Sequence, residues 1–199
     1  MPQAFSDQQM QEIRQKLFDS ACRHAVRTGV KTSMETLTND AGISKSTFYK
    51  FYESKERLLL EVALHFERLI LEEMKHVLHQ SEGISNKERT AAAVNAAFLR
   101  FAQLGAVRFF TEDLPVLIES LPLALAKKHL ANMSESVLKV LTEEGIRFCV
   151  PQETVLSLIQ LLYRSVPAIA EVDHFVEAFR LLVLGACNQV VESSEKSSL

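Results

Sequence analysis

Two short helix-forming segments joined by a turn constrain the fold of this chain more than any other feature of its sequence. The first segment spans residues 34–41 and the second spans residues 45–51. Between them lies the turn Ala41-Gly42-Ile43-Ser44. Because glycine adopts positive φ at low cost, Gly42 predicts a sharp end to the first helix. The pattern is typical of a helix-turn-helix, and equally of an ordinary helical hairpin with the same turn.

The side chains of the second segment favour the helix-turn-helix. Five of its seven positions carry hydrogen-bond donors, and Phe48 supplies a packing face. These donors are Lys45, Ser46, Thr47, Tyr49 and Lys50. Lysines and small hydroxyls can bind phosphates and base edges in a groove of DNA. Thr32, Ser33 and Lys55 add donors at helix N-termini, where free N–H groups also favour phosphate.

The rest of the chain predicts further helices. Ser6 with Gln9, and Ser85 with Glu88, form capping boxes that begin two of them. Apolar residues then recur at the spacing of a helix face. Only 6 glycines and 5 prolines occur among 199 residues, too few for a β-sandwich with a turn about every ten residues. The sequence therefore predicts an all-α protein.

Charge and cysteine content narrow the class of protein. Residues 1–60 carry nine basic and seven acidic side chains, whereas residues 61–199 carry 13 and 18. The mildly basic N-terminal part indicates contact with an anion. The three cysteines are scattered, and the sequence shows neither a signal peptide nor a membrane span. These features predict a cytoplasmic protein in a reducing environment.

Four motifs of the N-terminal part occur together in a fixed order. They are Thr32-Ser33-Met34-Glu35-Thr36-Leu37, Ala41-Gly42-Ile43-Ser44, Thr47-Phe48-Tyr49 and Ser54-Lys55-Glu56-Arg57-Leu58-Leu59. Their order and spacing resemble the DNA-binding domain of TetR-type transcriptional regulators, over roughly residues 10–62. The resemblance implies a ligand-responsive regulator, most simply a repressor, that binds a palindromic operator as a homodimer and is released by a small effector. It implies neither a cofactor nor an enzymatic activity.

Carried over position by position, the resemblance implies that Lys45–Phe51 is the recognition helix and Met34–Ala41 its support. The implied DNA contacts are Thr32, Ser33, Ser44, Lys45, Ser46, Thr47, Tyr49, Lys50 and Lys55. Two positions depart from the family pattern. Thr38 stands where an alanine is usual, and Phe51-Tyr52 stands where a histidine or tyrosine commonly precedes phenylalanine. Phe51 is left out of the predicted contacts because its ring cannot hydrogen-bond a phosphate.

The predicted DNA-binding domain of residues 1–54 is followed by a predicted helical regulatory and dimerisation domain, residues 55–199. One helix is expected from about Pro122 to Gly145, and two strongly apolar helices from Pro151 to Pro167 and from about Val172 to Val191. Helices that are apolar around most of their circumference must be buried. The last two helices therefore predict either a four-helix dimer interface or the core of a thick monomer.

Aromatic residues of the middle helices predict a pocket for an apolar or flat effector. They are Phe98, Phe101, Phe109, Phe110, Phe148 and Tyr163. The groups that could orient such a ligand are Arg108, His129, Tyr163 and Arg164. Aromatic residues at helical spacing are also typical of an ordinary core, so this alternative stays open.

Two other functional classes are compatible with a helical chain. Glu73-x-x-His76 and Glu171-x-x-His174 have a spacing used in di-metal carboxylate enzymes. A polar stripe along one helix and acidic residues at a helix start explain these two motifs without a metal. A helical adaptor that has lost DNA binding would keep the same fold, but the retained lysines and hydroxyls of the second segment argue against it.

Overall fold

The structure is a computed structural model that describes residues 5–81, 83–122, 133–166 and 173–193. Helices dominate these residues, so the predicted all-α class is confirmed. In chain order the helices are α1 (Asp7–Arg27), α2 (Met34–Ala41), α3 (Lys45–Phe48), α4 (Lys55–Gln80), α5 (Asn86–Gln103), α6 (Leu114–Ser120), α7 (Met133–Glu143), α8 (Gln152–Ser165) and α9 (Phe175–Val190). A 3₁₀ turn (Gly29–Lys31) precedes α2, and a π-helical turn (Phe109–Asp113) precedes α6.

Local capping sets the ends of the N-terminal helices. The hydroxyl of Ser6 accepts the N–H of Gln9 while the Gln9 side chain accepts the N–H of Ser6, so the predicted capping box opens α1. Ser33 caps α2, and Gly42 ends it with a φ of 69°. The hydroxyl of Ser54 accepts a backbone N–H in the first turn of α4. The predicted start of α1 and the predicted role of Gly42 are confirmed.

Helix α3 is shorter than the predicted segment 45–51. Its α-helical residues end at Phe48, and the next N–H groups, of Lys50 and Phe51, donate to carbonyls three residues back. The N–H of Tyr52 returns to the carbonyl of Phe48. The chain thus tightens into turns after one helical turn. This tightening brings Tyr52 into the core, where its ring centroid lies 5.8 Å from that of Phe48.

The described residues of Met1–Phe66 and Arg108–Lys128 pack into one compact unit. Its core holds the apolar faces of α1, α2, α3, the first part of α4, and α6. The most deeply buried side chains are Leu17, Leu37, Phe48, Leu58, Leu59, Val62, Phe109 and Leu117. Phe66 of α4 lies against the π-helical turn, with ring centroids 6.4 Å from Phe109 and 6.5 Å from Phe110.

The described residues of Glu67–Val107 and His129–Leu199 form a second compact unit. Within it, α5 packs against α9 and α7 packs against α8. Phe98 of α5 contacts the rings of both Phe175 and Phe179, and it stacks on Phe179 with a centroid distance of 4.1 Å. The apolar face of α9 towards α5 is therefore an ordinary aromatic core.

Some of the sequence-based predictions fall outside the described residues. The helix predicted from about Pro122 to Gly145 corresponds to α7, and residues 123–132 of it are not among those described. The same holds for His129, Pro167, Glu171 and Val172. The domain boundary between residues 54 and 55 stays a prediction, because the two compact units interleave along the chain. Among the helices that are described, none combines the length and the apolar character needed to cross a membrane.

Candidate nucleic-acid interface

Ser33 and Ser44 begin the two helices on either side of the turn. The hydroxyl of Ser33 accepts the N–H of Thr36 at 3.0 Å and lies 2.8 Å from the Thr36 hydroxyl. The hydroxyl of Ser44 accepts the N–H of Thr47 at 3.1 Å. Both serines are exposed. The remaining N–H groups in the first turn of α2 lack intrahelical acceptors, and such groups favour an anion.

Three hydroxyls cluster at the start of α3. The Ser44 oxygen lies 2.9 Å from that of Ser46 and 2.8 Å from that of Thr47. Ser44 and Ser46 are exposed, and Thr47 is half-buried. Each hydroxyl can donate as well as accept, so the cluster can turn donors towards a phosphate or a base edge. The structure therefore brings these three predicted contact residues together.

Lys45, Tyr49 and Lys50 extend the same polar segment with exposed side chains. The Tyr49 ring lies edge-on to Phe48, with 5.6 Å between the centroids. The Lys50 ammonium lies 5.6 Å from the centroid of the Phe5 ring, which is a cation–π contact. Phe5 is absent from the predicted contacts, because only the folded chain brings the start of α1 beside Lys50.

Thr32 and Lys55 are engaged inside the protein. Thr32 is 3% exposed, and its hydroxyl donates to the carbonyl of Gly29 at 2.8 Å. The Lys55 ammonium donates to the carbonyls of Val30 and Thr32 at 2.7 and 2.9 Å. The predicted phosphate contact of Thr32 stays a prediction, and its buried hydroxyl is already bound to the carbonyl of Gly29. An ammonium has three donors, so Lys55 can hold the loop and still offer one donor to an anion.

Asp40 links α2 to α1 and is absent from the sequence-based predictions. Its Oδ2 atom accepts hydrogen bonds from Ser20 Oγ at 2.7 Å and from Arg23 at 3.3 Å, and it lies 3.1 Å from Nε2 of His24. The hydrogen bonds from Ser20 and His24 lower the pKa of Asp40. In the sequence this carboxylate looks like an ordinary surface charge, since its three partners lie on another helix.

The two departures from the family pattern fit the fold. Thr38 is buried, and its hydroxyl donates to the carbonyls of Met34 and Glu35 at 3.0 and 3.1 Å, so it replaces an alanine without an unpaired polar group. Tyr52 is buried as well, with the Arg14 guanidinium 5.5 Å from its ring centroid. Burial raises the pKa of Tyr52 to about 12.

The helices that carry these residues match a known type of DNA-binding domain. Residues 17–62 match the family model described as bacterial regulatory proteins, tetR family. Residues 17–62 are thus similar to the DNA-binding domain of TetR-family regulators. The matched residues include α2, the turn and α3, so this segment is a helix-turn-helix of the TetR type.

Similar proteins extend the comparison beyond the matched domain. A stretch of 93 residues is 27% identical to YerO of Bacillus subtilis, an uncharacterised HTH-type transcriptional regulator, and covers 46% of this chain and 32% of YerO. The alignment thus spans about a third of the length of this curated relative. A solved structure from Mesorhizobium loti, assigned to the TetR-family regulators, covers 92% of this chain and 96% of its own, with 17% identity and a TM-score of 0.63. LfrR from Mycobacterium smegmatis, solved in complex with proflavine, covers 89% of this chain and 95% of its own, with 15% identity and a TM-score of 0.52. At these identities the solved structures show a shared fold.

The six predicted effector residues are divided between the two compact units. Phe98 and Phe101 lie on α5, and Tyr163 lies on α8. Phe148, in the same compact unit, pairs with Val191 in an isolated antiparallel bridge. Phe109 and Phe110 lie in the π-helical turn of the other compact unit. The ring centroids of Phe101 and Tyr163 lie 5.9 Å apart, and burial holds the pKa of the Tyr163 hydroxyl well above its ordinary value. Arg108 pairs with Asp113 at 3.5 Å, and Arg164 is exposed.

The di-metal alternative depended on two Glu-x-x-His motifs, and the second of these is only partly described. His76 is exposed on α4, and Glu171 lies outside the described residues. Within the described ranges, no group of three or more histidine, cysteine, aspartate or glutamate side chains could hold a metal ion. The matched family and the similar proteins are transcriptional regulators. The family model that matches residues 17–62 describes regulatory proteins, and this similarity favours a regulator over an enzyme.

Proposed function

We propose that this TetR-family protein is a repressor that binds a palindromic operator as a homodimer and is released by a small apolar effector. The exposed polar surface formed by the start of α2, the turn and α3 is the observation that carries the DNA-binding part. The side chains proposed to contact DNA are Ser33, Ser44, Lys45, Ser46, Thr47, Tyr49, Lys50 and Lys55. Phosphate contacts would orient the domain on the duplex, and the residues of α3 would reach the base edges that specify sequence.

Exposed leucines on α8 and α9 support the homodimer. Leu161 is 65% exposed, and Leu181 and Leu182 are 56% and 57% exposed. One turn further along α9, a Cβ added to Gly185 would meet no atom within 4 Å, so a neighbouring helix could approach closely there. Burying these side chains against the same helices of a second copy would remove them from water. A dimer would place its two α3 helices about 34 Å apart, which suits the two half-sites of a palindrome.

An apolar or flat effector is proposed from the aromatic side chains on α5 and α8. The ring centroids of Phe101 and Tyr163 lie 5.9 Å apart, and the Tyr163 side chain is half-buried, so part of it can meet a ligand. Proflavine, a flat aromatic compound, is bound in the LfrR structure, which shares the fold. To release DNA, the effector must bind more tightly to the conformation that does not fit the operator.

Selection from a random DNA library tests the operator proposal and requires no candidate promoter. Purified protein is mixed with the library, and the retained DNA is sequenced after several rounds. We expect a palindromic motif with half-sites about ten base pairs apart, centre to centre. Affinity for this motif should exceed affinity for a scrambled duplex by on the order of a thousandfold and should fall steeply with salt. Retention of DNA without any enriched motif would contradict the proposal.

Release of the selected duplex tests the effector proposal. Proflavine and a fatty acid serve as probes, and fluorescence anisotropy of labelled DNA reports release. If either compound binds beside Phe101 and Tyr163, Tyr163→Ala should need a higher concentration for the same release. Leu99→Ala is the control, because Leu99 is exposed on α5 and is not among the predicted effector residues. Equal effects of the two substitutions would exclude Tyr163 as part of the effector site.

A further inference from the structure

The loop between α1 and α2 is held by charged side chains from two distant parts of the chain. Asp113, the last residue of the π-helical turn, accepts the N–H of Val30 through Oδ1 at 3.1 Å. Lys55, at the start of α4, donates to the carbonyl of Val30 at 2.7 Å and to that of Thr32 at 2.9 Å. Val30 therefore has its N–H bound by an anion and its carbonyl bound by a cation.

Gly29 leaves no clearance between this loop and Asp113. Gly29 is buried and has a φ of 56°. A Cβ added at this position would overlap the carboxylate of Asp113. The Asp113 side chain is 6% exposed, so the two groups meet inside the protein. Because packed interiors transmit displacements, movement of Asp113 must be followed by movement of the loop.

Asp113 is itself anchored by its surroundings. The guanidinium of Arg108 lies 3.5 Å from Oδ2 of Asp113. The π-helical turn that carries Asp113 is fixed by Phe109, which is fully buried and packs against Phe66. A buried carboxylate costs free energy unless charges and donors compensate it, and an apolar side chain would fill the space without that cost. What the carboxylate adds is its hold on the N–H of Val30.

The loop leads directly into the proposed DNA surface. Thr32, whose carbonyl binds Lys55, is followed by Ser33, the exposed N-cap of α2. We propose that Asp113 is a positioning residue for DNA binding. By accepting the N–H of Val30, Asp113 fixes the loop. The fixed loop in turn holds the N-terminus of α2 and Ser33 in position to contact the DNA backbone. Asp113 does not itself touch DNA, and the inference rests on the proposed DNA-binding function.

The test compares three variants of the full-length protein. Asp113→Ala removes the acceptor, whereas Asp113→Asn keeps an amide oxygen that can accept the same N–H. Glu112→Gln is the matched control, because Glu112 is the exposed neighbour of Asp113. Three quantities are measured: hydrogen exchange at the Val30 amide, Kd for the duplex selected by the wild type, and thermal unfolding, which gives the folded fraction.

For Asp113→Ala we expect exchange at Val30 and Kd each to rise by about tenfold, the usual effect of leaving one buried amide without its acceptor. Asp113→Asn should fall between this variant and the wild type, and Glu112→Gln should behave as the wild type. Unchanged exchange at Val30, or wild-type affinity in folded Asp113→Ala, would overturn the inference. So would an affinity loss that vanishes once unfolded protein is subtracted, because the residue would then be merely structural.

Two further measures keep the outcome decisive. If Asp113→Ala does not fold, Asp113→Asn carries the comparison, with weaker DNA binding expected at full folded fraction. The effect of Gly29→Ala on DNA affinity is also measured, once in the wild-type background and once in the Asp113→Ala background. In both backgrounds Gly29→Ala carries the strain of a positive φ. Only in the wild-type background does the new Cβ also overlap the carboxylate of Asp113, so the loss of DNA affinity should be larger in that background. Equal losses of affinity in the two backgrounds would count against the inference. Failure of the wild type to bind any DNA would overturn the proposed function, while exchange at Val30 would still report whether Asp113 holds the loop.

Discussion

Residues of the same chemical type have different roles within the helix-turn-helix. Lys45 and Lys50 expose their ammonium groups, whereas Lys55 uses two of its donors on the carbonyls of the loop before α2. The hydroxyl of Ser33 is exposed, while that of its neighbour Thr32 is buried. In the sequence all five are hydrogen-bond donors within or beside the helix-turn-helix. Burial turns the Thr32 hydroxyl towards the protein's own backbone, whereas the half-buried Lys55 holds the loop and has a third donor for an anion.

Lys45→Ala is expected to weaken binding to all DNA sequences by a similar factor. The plot of log K against log salt should become shallower by about one unit, because one cation that displaces counterions from the phosphates is lost. Anisotropy titrations at several salt concentrations measure both effects. Lys16→Ala is the matched control, since Lys16 is an exposed lysine on α1. An unchanged slope for Lys45→Ala would place Lys45 outside the interface.

The carboxylate of Asp40 should make stability depend on pH. Its pKa is lowered in the folded protein, chiefly by the hydrogen bonds from Ser20 and His24. The carboxylate of Asp40 therefore stabilises the folded protein fully above the pKa of an unfolded aspartate, about 3.9. This stabilisation is lost as the pH falls through the lower pKa that Asp40 has in the folded protein. Asp40→Asn should reduce the free energy of unfolding by about 1 kcal/mol at neutral pH, a modest figure because the group is partly exposed.

Urea unfolding at neutral pH and at about pH 3 measures this contribution. The difference between wild type and Asp40→Asn should shrink at the acid value. Asp19→Asn serves as the control, because Asp19 accepts only a hydrogen bond from Gln15 among the contacts described for its side chain. Equal differences for Asp40→Asn at both pH values would show that the carboxylate is not the source of the stabilisation.

At the scale of elements, helix starts and ends follow from a few capping residues. The capping boxes at Ser6 and Ser85 open α1 and α5 as predicted. Helix α3 is the exception, because its length depends on how Tyr52 is drawn into the core rather than on a local stop signal. The π-helical turn before α6 has no sequence signal either. Its geometry places Phe109 inside and Asp113 against the loop before α2.

Gly42 tests whether the turn depends on backbone conformation alone. Its φ is 69°, and a Cβ added there would meet no atom within 4 Å. Gly42→Ala should therefore lower the free energy of unfolding by about 1 kcal/mol through left-handed strain without a clash. Gly42→Asn is the matched variant and should lose less, because asparagine tolerates this conformation. Equal losses in urea unfolding would point to a cause other than φ.

At the scale of the whole molecule, the proposed dimer depends on the exposed leucines of α8 and α9. Leu182→Glu places a charge on that surface and should yield a monomer in sedimentation equilibrium, whereas the wild type is expected to be a dimer. Affinity for the palindrome should fall by on the order of a hundredfold, because two half-sites would no longer be bound together. Leu99→Glu on α5 is the control, since Leu99 is also exposed. A wild-type monomer, or a dimer of Leu182→Glu, would contradict the dimer proposal.

The sequence by itself determined the features that depend on neighbours along the chain. Helical class, the caps at Ser6, Ser33 and Ser44, the turn at Gly42 and the TetR-type motifs all follow from spacings of a few residues. Physical rules for these features act between positions i and i+3 or i+4, and such positions are visible in a string of letters.

Only the tertiary structure decided which polar groups face solvent and which bind the protein's own backbone. Thr32 and Lys55 look like DNA contacts in the sequence, yet both hydrogen-bond to the loop before α2. Asp113 reaches Val30 across 83 residues, and Asp40 finds its donors on another helix. Burial and long-range hydrogen bonds arise only when distant segments are packed together, and no local pattern encodes which segments will meet.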